Sequence, residues 1–237
     1  MARKNIVVFT GAGVSADSGI ATFRGGNGLW DNLPVEQVAT PEGYRANPAL
    51  VLDFYNKRRR ELLDVEPNEA HKLLASLEDS FEVTVITQNV DDLHERAGST
   101  DIIHLHGELM KACSSRDPQN PDYVCTLPSP GADIRLGDLA ADGSQLRPFI
   151  VWFGEAVPRM SDAIDALGGL DLFVIIGTSL NVYPAAGLLD YVPEHIPVYL
   201  IDPNEVVVKS NRRVVAIRKG ASEGMRHLID EYLSKMK

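Results

Sequence analysis

The chain has few cysteines and no long apolar segment. Its two cysteines, Cys113 and Cys125, are too few for the disulfide framework of a small secreted protein. No uninterrupted apolar run is longer than that of residues 172–176, far short of the roughly 20 residues that a membrane-spanning helix needs. Arg3 and Lys4 precede only a short apolar run before Gly11, too short for the apolar region of a secretory leader. We therefore expect a cytoplasmic protein without a membrane span.

The chain also lacks an excess of basic residues. It has 23 Lys and Arg against 33 Asp and Glu, a formal net charge of -10. This balance argues against a nucleic-acid partner and allows cationic ones such as lysine-bearing peptides. With 237 residues, 44% hydrophobic and 24% charged, the chain is long enough for one globular domain, or for one domain plus a small insertion.

Short apolar segments rich in β-branched residues recur along the chain. They are residues 6–9, 83–86, 102–105, 172–176, 198–201 and 214–217. Continuous rather than alternating apolarity is typical of strands buried on both faces of a parallel sheet. Helical patterns lie between these segments, with predicted starts at Asn47-Pro48, Asn68 and Ser222. The sequence therefore predicts an α/β fold, a Rossmann-type parallel sheet with helices on both faces.

Two stretches interrupt the alternation of strands and helices. Residues 25–66 read as a glycine-rich loop followed by helices, and residues 111–148 are rich in Pro, Gly, Asp and Ser. We predict that these insertions form a smaller second domain, at about 25–66 and 107–148. The large domain would then comprise about 1–24, 67–106 and 149–237, within a single catalytic region that spans residues 1–237.

A glycine-rich turn follows the first apolar segment. Gly11-Ala12-Gly13 lies between residues 6–9 and a predicted helix start near Ser15, an order typical of loops that bind a pyrophosphate. The same spacing also occurs in ordinary tight turns. A hydride-transfer domain would carry an acidic residue at the end of a second strand about 20 positions later, and Asp31 does not end an apolar run. The pattern therefore predicts a dinucleotide-binding site that lacks the acidic ribose-binding residue of hydride-transfer dehydrogenases.

Five polar or glycine-rich clusters follow apolar segments later in the chain. They are residues 87–98 (TQNVDDLHERAG), His106-Gly107, residues 151–155 (VWFGE), residues 177–179 (GTS) and residues 202–204 (DPN). Ligands bind at the carboxyl ends of the strands in open α/β sheets. We therefore expect these clusters to converge along one edge of the sheet.

The ordered set GAGVSADSGIATFR, TQNVD, His-Gly, VWFGE and GTS resembles the sirtuin family of NAD-dependent protein-lysine deacylases over nearly the whole chain. The resemblance implies that NAD and an acyl-lysine meet in a cleft between the two domains, giving nicotinamide and an O-acyl-ADP-ribose. It implies NAD contacts for Gly11, Ala12, Gly13, Ser15, Phe23, Arg24, Trp30, Gln88, Asn89, Val90, Asp91, Gly177, Thr178, Ser179, Asp202, Asn204 and Ala221.

The same resemblance implies catalytic roles for His106, Asn89 and Asp91. Asn89 and Asp91 would orient the nicotinamide carboxamide, and His106 would take a proton from a ribose hydroxyl. Simpler interpretations stay open. Asn89 and Asp91 could cap the next helix, and His106 could be an ordinary core histidine. His104 and His106 lie two apart on a strand, so both could face a metal.

Residues 151–155 and a Tyr-x-x-Arg pair form the implied substrate site. Val151, Trp152 and Phe153 would wall an apolar tunnel for the lysine stem, and Gly154 and Glu155 would pair with a peptide backbone. By default the first three read as core.

The Tyr-x-x-Arg pair is Tyr55 and Arg58, which share a helix face and resemble the subgroup that removes succinyl and malonyl groups. The guanidinium would bind a distal carboxylate. Alternatively, Tyr55 packs in the core and Arg58 is a surface charge. We expect Lys57, Arg59 and Arg60 to form a solvated basic face, and deacetylation to occur as well.

The chain departs from the sirtuin pattern at the zinc site. Sirtuins commonly hold zinc with two Cys-x-x-Cys pairs, whereas Cys113 and Cys125 stand alone here. Two thiolates cannot supply a four-cysteine site, so we predict no metal. Competing functions are ADP-ribosyl transfer, NAD hydrolysis and a non-catalytic NAD or ADP-ribose sensor. The sequence does not indicate an oligomeric state.

Overall fold

The computed structural model describes residues 3–20, 34–209 and 212–235. Their strands are β1 (Asn5–Thr10), β2 (Glu82–Thr87), β3 (Ile102–His104), β4 (Gly107–Ser114), β5 (Val124–Thr126), β6 (Leu146–Ile150), β7 (Leu172–Ile176), β8 (Val198–Ile201) and β9 (Val215–Ile217). Their α-helices are α1 (Val35–Val38), α2 (Pro41–Ala46), α3 (Pro48–Leu62), α4 (Glu69–Leu77), α5 (Leu93–Ala97), α6 (Met160–Asp165), α7 (Leu188–Tyr191) and α8 (Ala221–Glu231). Among these helices none is long and apolar enough to cross a bilayer.

Six strands form one parallel sheet in the order β3-β2-β1-β7-β8-β9. Each of the six predicted apolar segments coincides with one of these strands, so the predicted α/β class is confirmed. From β1 the chain first adds β2 and β3 on one side, and later adds β7, β8 and β9 on the other. The crevice between the carboxyl ends of β1 and β7 is therefore the topological switch point, where such sheets bind ligands.

Apolar side chains cover both faces of this sheet. On one face, Phe9 and Phe173 pack in a core with side chains of α6 and α7. On the other, Val8 and Val174 pack with Leu74 of α4 and side chains of α8. All five residues of β7 are buried. Burial on both faces explains why the strand segments are continuously apolar.

Two helix starts agree with the sequence prediction. Asn47 precedes α3 and accepts a hydrogen bond from the Leu50 N–H at 3.1 Å. Asn68 precedes α4 and accepts from the Ala70 N–H at 2.9 Å. Both are N-cap bonds that satisfy donors of the first helical turn.

Two other predicted helix starts are wrong. Residues 12–14 and 16–18 form 3₁₀ turns rather than an α-helix beginning near Ser15, and the segment ends at Gly19 with a φ of 89°. Gly has low helix propensity, so this stretch stays short and irregular. At the other end of the chain Gly220, not Ser222, is the N-cap of α8. The Asp17 carboxylate accepts hydrogen bonds from the Ser222 N–H at 3.2 Å and hydroxyl at 2.7 Å.

Strands β4, β5 and β6 form a separate antiparallel sheet in the order β5-β4-β6. Helix α3 packs on it, and Tyr55, Leu62, Leu109 and Trp152 share one core there. The sequence pattern of residues 111–148 does not predict these strands, because it is interrupted by Pro, Gly and Asp. The exact division of the chain into two domains stays a prediction.

A buried arginine ties α3 to the segment between β5 and β6. Arg59 is fully buried, so the predicted solvated basic face is wrong for this residue. Its Nε donates to the Leu109 carbonyl at 2.8 Å, and its Nη1 donates to Asn56 Oδ1 and to the Ala132 carbonyl at 2.9 Å each. Burial lowers the pKa of the guanidinium to about 10. These bonds order a segment with few apolar side chains of its own.

The two cysteines lie on neighbouring strands but on opposite faces of the small sheet. Cys125 of β5 pairs with Ala112 of β4, so Cys113, the next residue along β4, points to the other face. Cys113 is buried and Cys125 is exposed. Within the described residues there is no cluster of three or more potential metal ligands. The absence of zinc stays a prediction, which the opposed cysteines support.

Candidate active site

Glycine turns meet where β1 and β7 end. The Gly11 N–H donates to the Ile176 carbonyl at 3.0 Å, and the Gly13 N–H donates to the Gly177 carbonyl at 2.8 Å. A Cβ on Gly13 would lie 2.6 Å from the Gly177 Cα, and Gly177 itself has a φ of 61°. The backbones can approach this closely only because these residues lack side chains. The predicted phosphate loop therefore lies at the switch point of the sheet.

A hydrogen-bonded chain of three side chains lies beside the turns. The Asn89 side-chain amide donates to Ser15 Oγ at 3.0 Å, and the Ser15 hydroxyl donates to Asp91 Oδ2 at 3.1 Å. The other carboxylate oxygen of Asp91 accepts from the Leu93 N–H at 3.2 Å. Burial raises the pKa of Asp91 to about 6, although these two bonds oppose the shift. Asp91 thus both binds the start of α5 and faces the site.

His106 follows β3 and is only half-buried. Its Nδ1 lies 3.0 Å from the Gln88 carbonyl oxygen, which can only accept, so Nδ1 carries the proton. Nε2 has no hydrogen-bond partner in the part of the chain that the structure describes. Burial lowers the pKa of His106, and the bond to Gln88 opposes that shift only in part. At neutral pH His106 is therefore a neutral imidazole whose Nε2 can accept a proton.

His104 differs from His106 in having both nitrogens engaged. Nδ1 lies 3.1 Å from the Asn89 carbonyl oxygen, and Nε2 lies 2.6 Å from Glu95 Oε1. The alternative in which His104 and His106 hold a metal together gains no support from these contacts, because each ring bonds a different carbonyl.

The residues predicted for the adenosine end follow three adjacent strands. Gln88 donates to Thr178 Oγ1 at 2.9 Å, which joins the loops after β2 and β7. After β8, Asp202 Oδ1 accepts from the Asn204 N–H at 2.8 Å. Ala221 begins α8 after β9, and Ser179 is exposed beside Thr178. The structure thus brings these residues to one edge of the sheet, as the sequence predicts.

Tyr55 and Arg58 lie on α3 with different environments. Tyr55 is buried, and its hydroxyl accepts a hydrogen bond from Trp152 Nε1 at 3.1 Å. Arg58 is half-buried with its guanidinium carbon 5.0 Å from the centre of the Phe54 ring. Desolvation lowers the pKa of Arg58. Among the described residues no side chain forms an ion pair or hydrogen bond with this guanidinium, so it can still bind an anion.

The segment after β6 combines buried and exposed side chains. Trp152 is buried, with the Arg147 guanidinium 3.8 Å above its ring, and Phe153 is 47% exposed. The Glu155 carboxylate accepts two bonds from Arg147, at 2.8 and 2.9 Å, and one from the Trp152 N–H at 2.8 Å.

The backbone of this segment is partly engaged as well. The Val151 N–H donates to the His106 carbonyl at 2.9 Å, and Gly154 has a φ of 92°. The side chains of Trp152 and Glu155 therefore support the fold, and Phe153 is the aromatic side chain left open to a ligand.

Three predicted NAD contacts, Phe23, Arg24 and Trp30, lie outside the described residues. Conversely, sequence reasoning overlooks Thr10 and Arg147 and assigns no role to Thr87, the first residue of the TQNVD motif. The Thr10 hydroxyl donates to Thr87 Oγ1 at 2.8 Å, and Thr87 Oγ1 also accepts from the Asn89 N–H at 3.0 Å. Both threonines are the last residues of buried strands, a position that could have indicated them. Arg147 carries no comparable signal in the sequence.

Comparisons with known proteins agree with this geometry. The Sir2 family model matches residues 11–184. A protein from Bacteroides thetaiotaomicron (strain VPI-5482) named NAD-dependent protein deacylase is 64% identical over 225 residues, which is 95% of this chain and 96% of that protein.

Solved structures are similar over the whole fold. A Sir2 homologue in complex with NAD is 35% identical with a TM-score of 0.85, covering 99% of this chain and 91% of that one. A Sir2 protein with a deacetylated p53 peptide and 3'-O-acetyl ADP-ribose is 31% identical with a TM-score of 0.77, covering 97% and 94%. The chain therefore belongs to the Sir2, or sirtuin, family.

Proposed function

We propose that this chain removes acyl groups from protein lysines and consumes NAD, giving nicotinamide and O-acyl-ADP-ribose. The observation that carries the proposal is the position of His106. A neutral imidazole follows β3; its Nε2 has no partner among the described residues, and its Nδ1 bonds the loop that carries Asn89 and Asp91. That loop in turn lies against the glycine turns at the switch point. The relative from Bacteroides thetaiotaomicron is named NAD-dependent protein deacylase, which supports the same reaction.

The glycine turns fit a dinucleotide. A Cβ on Gly11 would lie 2.8 Å from the Gly177 carbonyl oxygen, so only glycine allows the two turns to pack this closely. Ala12 is half-buried and its N–H has no partner within the described ranges, so this N–H can donate to a phosphate oxygen. When bound, NAD supplies a ribose carbon from which nicotinamide can leave. We propose that residues 11–15, 88–91 and 177–179 hold it.

The protein's own contribution is mainly orientation and one proton transfer. Asn89 and Asp91, fixed by Ser15, bind and orient the nicotinamide end, and holding the reactants in place supplies much of the rate. His106 Nε2 accepts a proton from a ribose hydroxyl. Its depressed pKa keeps it neutral and ready to accept at pH 7.

The substrate end of the site suits a lysine whose amine is acylated and therefore uncharged. Phe153 offers exposed aromatic surface to the lysine stem, and a neutral acyl-lysine avoids the desolvation cost of an ammonium. The guanidinium of Arg58, which has no ion pair or hydrogen bond within the described ranges, could bind the distal carboxylate of a succinyl or malonyl group. We therefore propose acetyl-, succinyl- and malonyl-lysine in proteins or peptides as substrates. A cytoplasmic location and the lack of a nucleic-acid partner are likewise proposals.

The test incubates the protein with NAD and acetyl-, propionyl- or succinyl-lysine peptides, and follows peptide mass and nicotinamide. We expect loss of the acyl mass together with nicotinamide release. His106→Ala should abolish both, and His195→Ala is the matched control because His195 is exposed and is none of the predicted site residues. A peptide that gains ADP-ribose, or nicotinamide release without deacylation, would overturn the proposal in favour of transfer or hydrolysis.

A further inference from the structure

Two histidines hold consecutive carbonyl groups of the loop after β2. His106 Nδ1 lies 3.0 Å from the Gln88 carbonyl oxygen, and His104 Nδ1 lies 3.1 Å from the Asn89 carbonyl oxygen. The proposed reaction uses His106 as a base but gives His104 no task. Yet His104 bonds the residue whose side chain faces the proposed nicotinamide site.

The second nitrogen of each ring separates the two histidines. His104 Nε2 lies 2.6 Å from Glu95 Oε1, whereas His106 Nε2 has no partner within the described ranges. A carbonyl oxygen and a carboxylate both accept hydrogen bonds, so both nitrogens of His104 carry protons and its ring is an imidazolium. The side chain of His104 is 6% exposed and that of Glu95 is 41% exposed. The charge on the His104 ring is therefore buried, whereas the Glu95 carboxylate reaches solvent.

The surroundings of His104 favour its charged form. The titratable groups that face it are Glu95 of α5, Glu108 of β4, Asp91, His94 and, paired with Glu108, Lys111. Burial alone would lower the pKa of His104, but the bond to Glu95 and the charges of Glu95 and Glu108 raise it above its ordinary value. His94 is neutral, because burial holds its pKa well below the ordinary value.

Three polar groups of Asn89 form hydrogen bonds. Its N–H donates to Thr87 Oγ1 at 3.0 Å, its carbonyl accepts from His104, and its side-chain amide donates to Ser15 at 3.0 Å. The first and third bonds do not involve the carbonyl of Asn89. Among the described residues the bond from His104 is the direct restraint on that carbonyl, and the next carbonyl, of Val90, accepts from the Leu109 N–H at 2.8 Å.

We propose that His104 is a positioning residue for the NAD reaction: the imidazolium, held by Glu95, fixes the Asn89 carbonyl and so orients Asn89 and Asp91 toward the dinucleotide. This inference rests on the proposed function. It assigns His104 to the nicotinamide step and not to the binding of the acyl-lysine.

Two substitutions of His104 separate positioning from packing. An asparagine places an amide nitrogen near the position of Nδ1 and can keep the bond to Asn89, whereas a glutamine reaches toward Glu95 and loses it. We expect His104→Gln to lower kcat and nicotinamide exchange about a hundredfold, as small displacements of reacting groups do. His104→Asn should recover most of this loss, and KM for the peptide should change little in either variant.

Glu95→Gln tests the charge without altering the ring. Imidazole NMR signals give the titration of His104 in wild type and in this variant, with assignment from His104→Asn. We expect the His104 midpoint to fall when Glu95 is neutralised, and the alkaline limb of kcat to move to lower pH with it. Glu82→Gln is the matched control, because Glu82 is exposed and its carboxylate has no partner in the described chain.

Every outcome decides the inference. Equal losses in His104→Asn and His104→Gln, or full activity in both, would overturn it, as would a His104 midpoint that does not respond to Glu95→Gln. If His104→Gln fails to fold, the NMR titration and NAD binding by Glu95→Gln still decide. If the wild-type protein deacylates no peptide, the proposed function fails, whereas NAD affinity and the imidazole titration still report on His104.

Discussion

The indole Nε1 of Trp152 donates a hydrogen bond to the hydroxyl of Tyr55 at 3.1 Å, in the core where α3 packs on the small sheet. Burial raises the pKa of Tyr55, so the phenol stays protonated and can donate its own hydrogen. This bond joins the two segments to which the sequence assigns the substrate, residues 55–58 and 151–155.

We expect Tyr55→Phe to reduce stability, because it leaves the buried Trp152 N–H without an acceptor. The free energy of unfolding should fall by about 1–3 kcal/mol, the usual cost of an unsatisfied buried donor. Urea denaturation measures the change. In a Trp152→Phe background the same substitution should cost less, and an equal cost in both backgrounds would show that the bond contributes nothing.

Arg58→Met should change acyl selectivity rather than stability. The Arg58 guanidinium has no ion pair among the described residues, so its removal breaks none there. If it binds the distal carboxylate of succinyl-lysine, kcat/KM for that peptide should fall roughly ten- to hundredfold. This corresponds to the loss of about 1.5–3 kcal/mol of binding free energy. Deacetylation should change far less. Lys57→Met on the exposed side of α3 is the control, and equal losses for both peptides in Arg58→Met would refute a role in acid selectivity.

The acid limb of kcat/KM should lie below pH 6.5. His106 must be neutral to accept a proton, and burial lowers its pKa from the ordinary 6.5. Acidification therefore protonates the base only below that value, and Asp91, with a pKa raised to about 6, titrates in the same range. Initial rates at low NAD concentration between pH 5 and 8 measure the midpoint, and a midpoint above 6.5 would contradict the assignment.

Acid should also destabilise the fold through a buried histidine pair. The rings of His71 and His94 are 4.8 Å apart, and burial lowers the pKa of His71 to about 4. Below the ordinary pKa of 6.5 each of these histidines is protonated in the unfolded chain but stays neutral in the native state. Its contribution to the free energy of unfolding is therefore fully present above pH 6.5 and decreases toward pH 4, by about 1.4 kcal/mol per pH unit for each histidine.

Comparison of urea denaturation at pH 7 and pH 5 tests this pair. His71→Leu should lose part of the acid sensitivity of the wild-type protein, whereas the exposed His195→Ala should keep all of it. The same pH dependence in all three proteins would show that the buried pair does not titrate on unfolding.

Treatment with a metal chelator should leave the small sheet intact, because we predict that it holds no metal. Cys113 and Cys125 point to opposite faces, and Arg59 orders the neighbouring segment by its hydrogen bonds. We expect treatment with a chelator to leave the thermal midpoint unchanged, and Arg59→Met to lower it, because the Leu109 and Ala132 carbonyls lose their donor. Elemental analysis of the purified protein is the direct check, and one zinc ion per chain would contradict the prediction.

Local patterns explain which elements could be predicted. The strands of the large sheet, the caps Asn47 and Asn68, and the order of the clusters all depend on neighbouring residues, so apolar runs and turn residues were sufficient to predict them. The small antiparallel sheet and buried Arg59 depend on pairing between distant segments. Proline, glycine and charge in these stretches indicate loops or solvent, and only tertiary contacts reverse that expectation.

The sequence by itself determined the fold class and the family, and it predicted the residue types at the proposed NAD site, because the glycine, Asx and histidine positions follow directly from strand ends. The tertiary structure alone decided what each ring nitrogen does. His104 and His106 are two residues apart and chemically identical. Among the described residues a carboxylate from α5 contacts the ring of His104 and none contacts that of His106, so we propose the first as a charged positioning residue and the second as a neutral base.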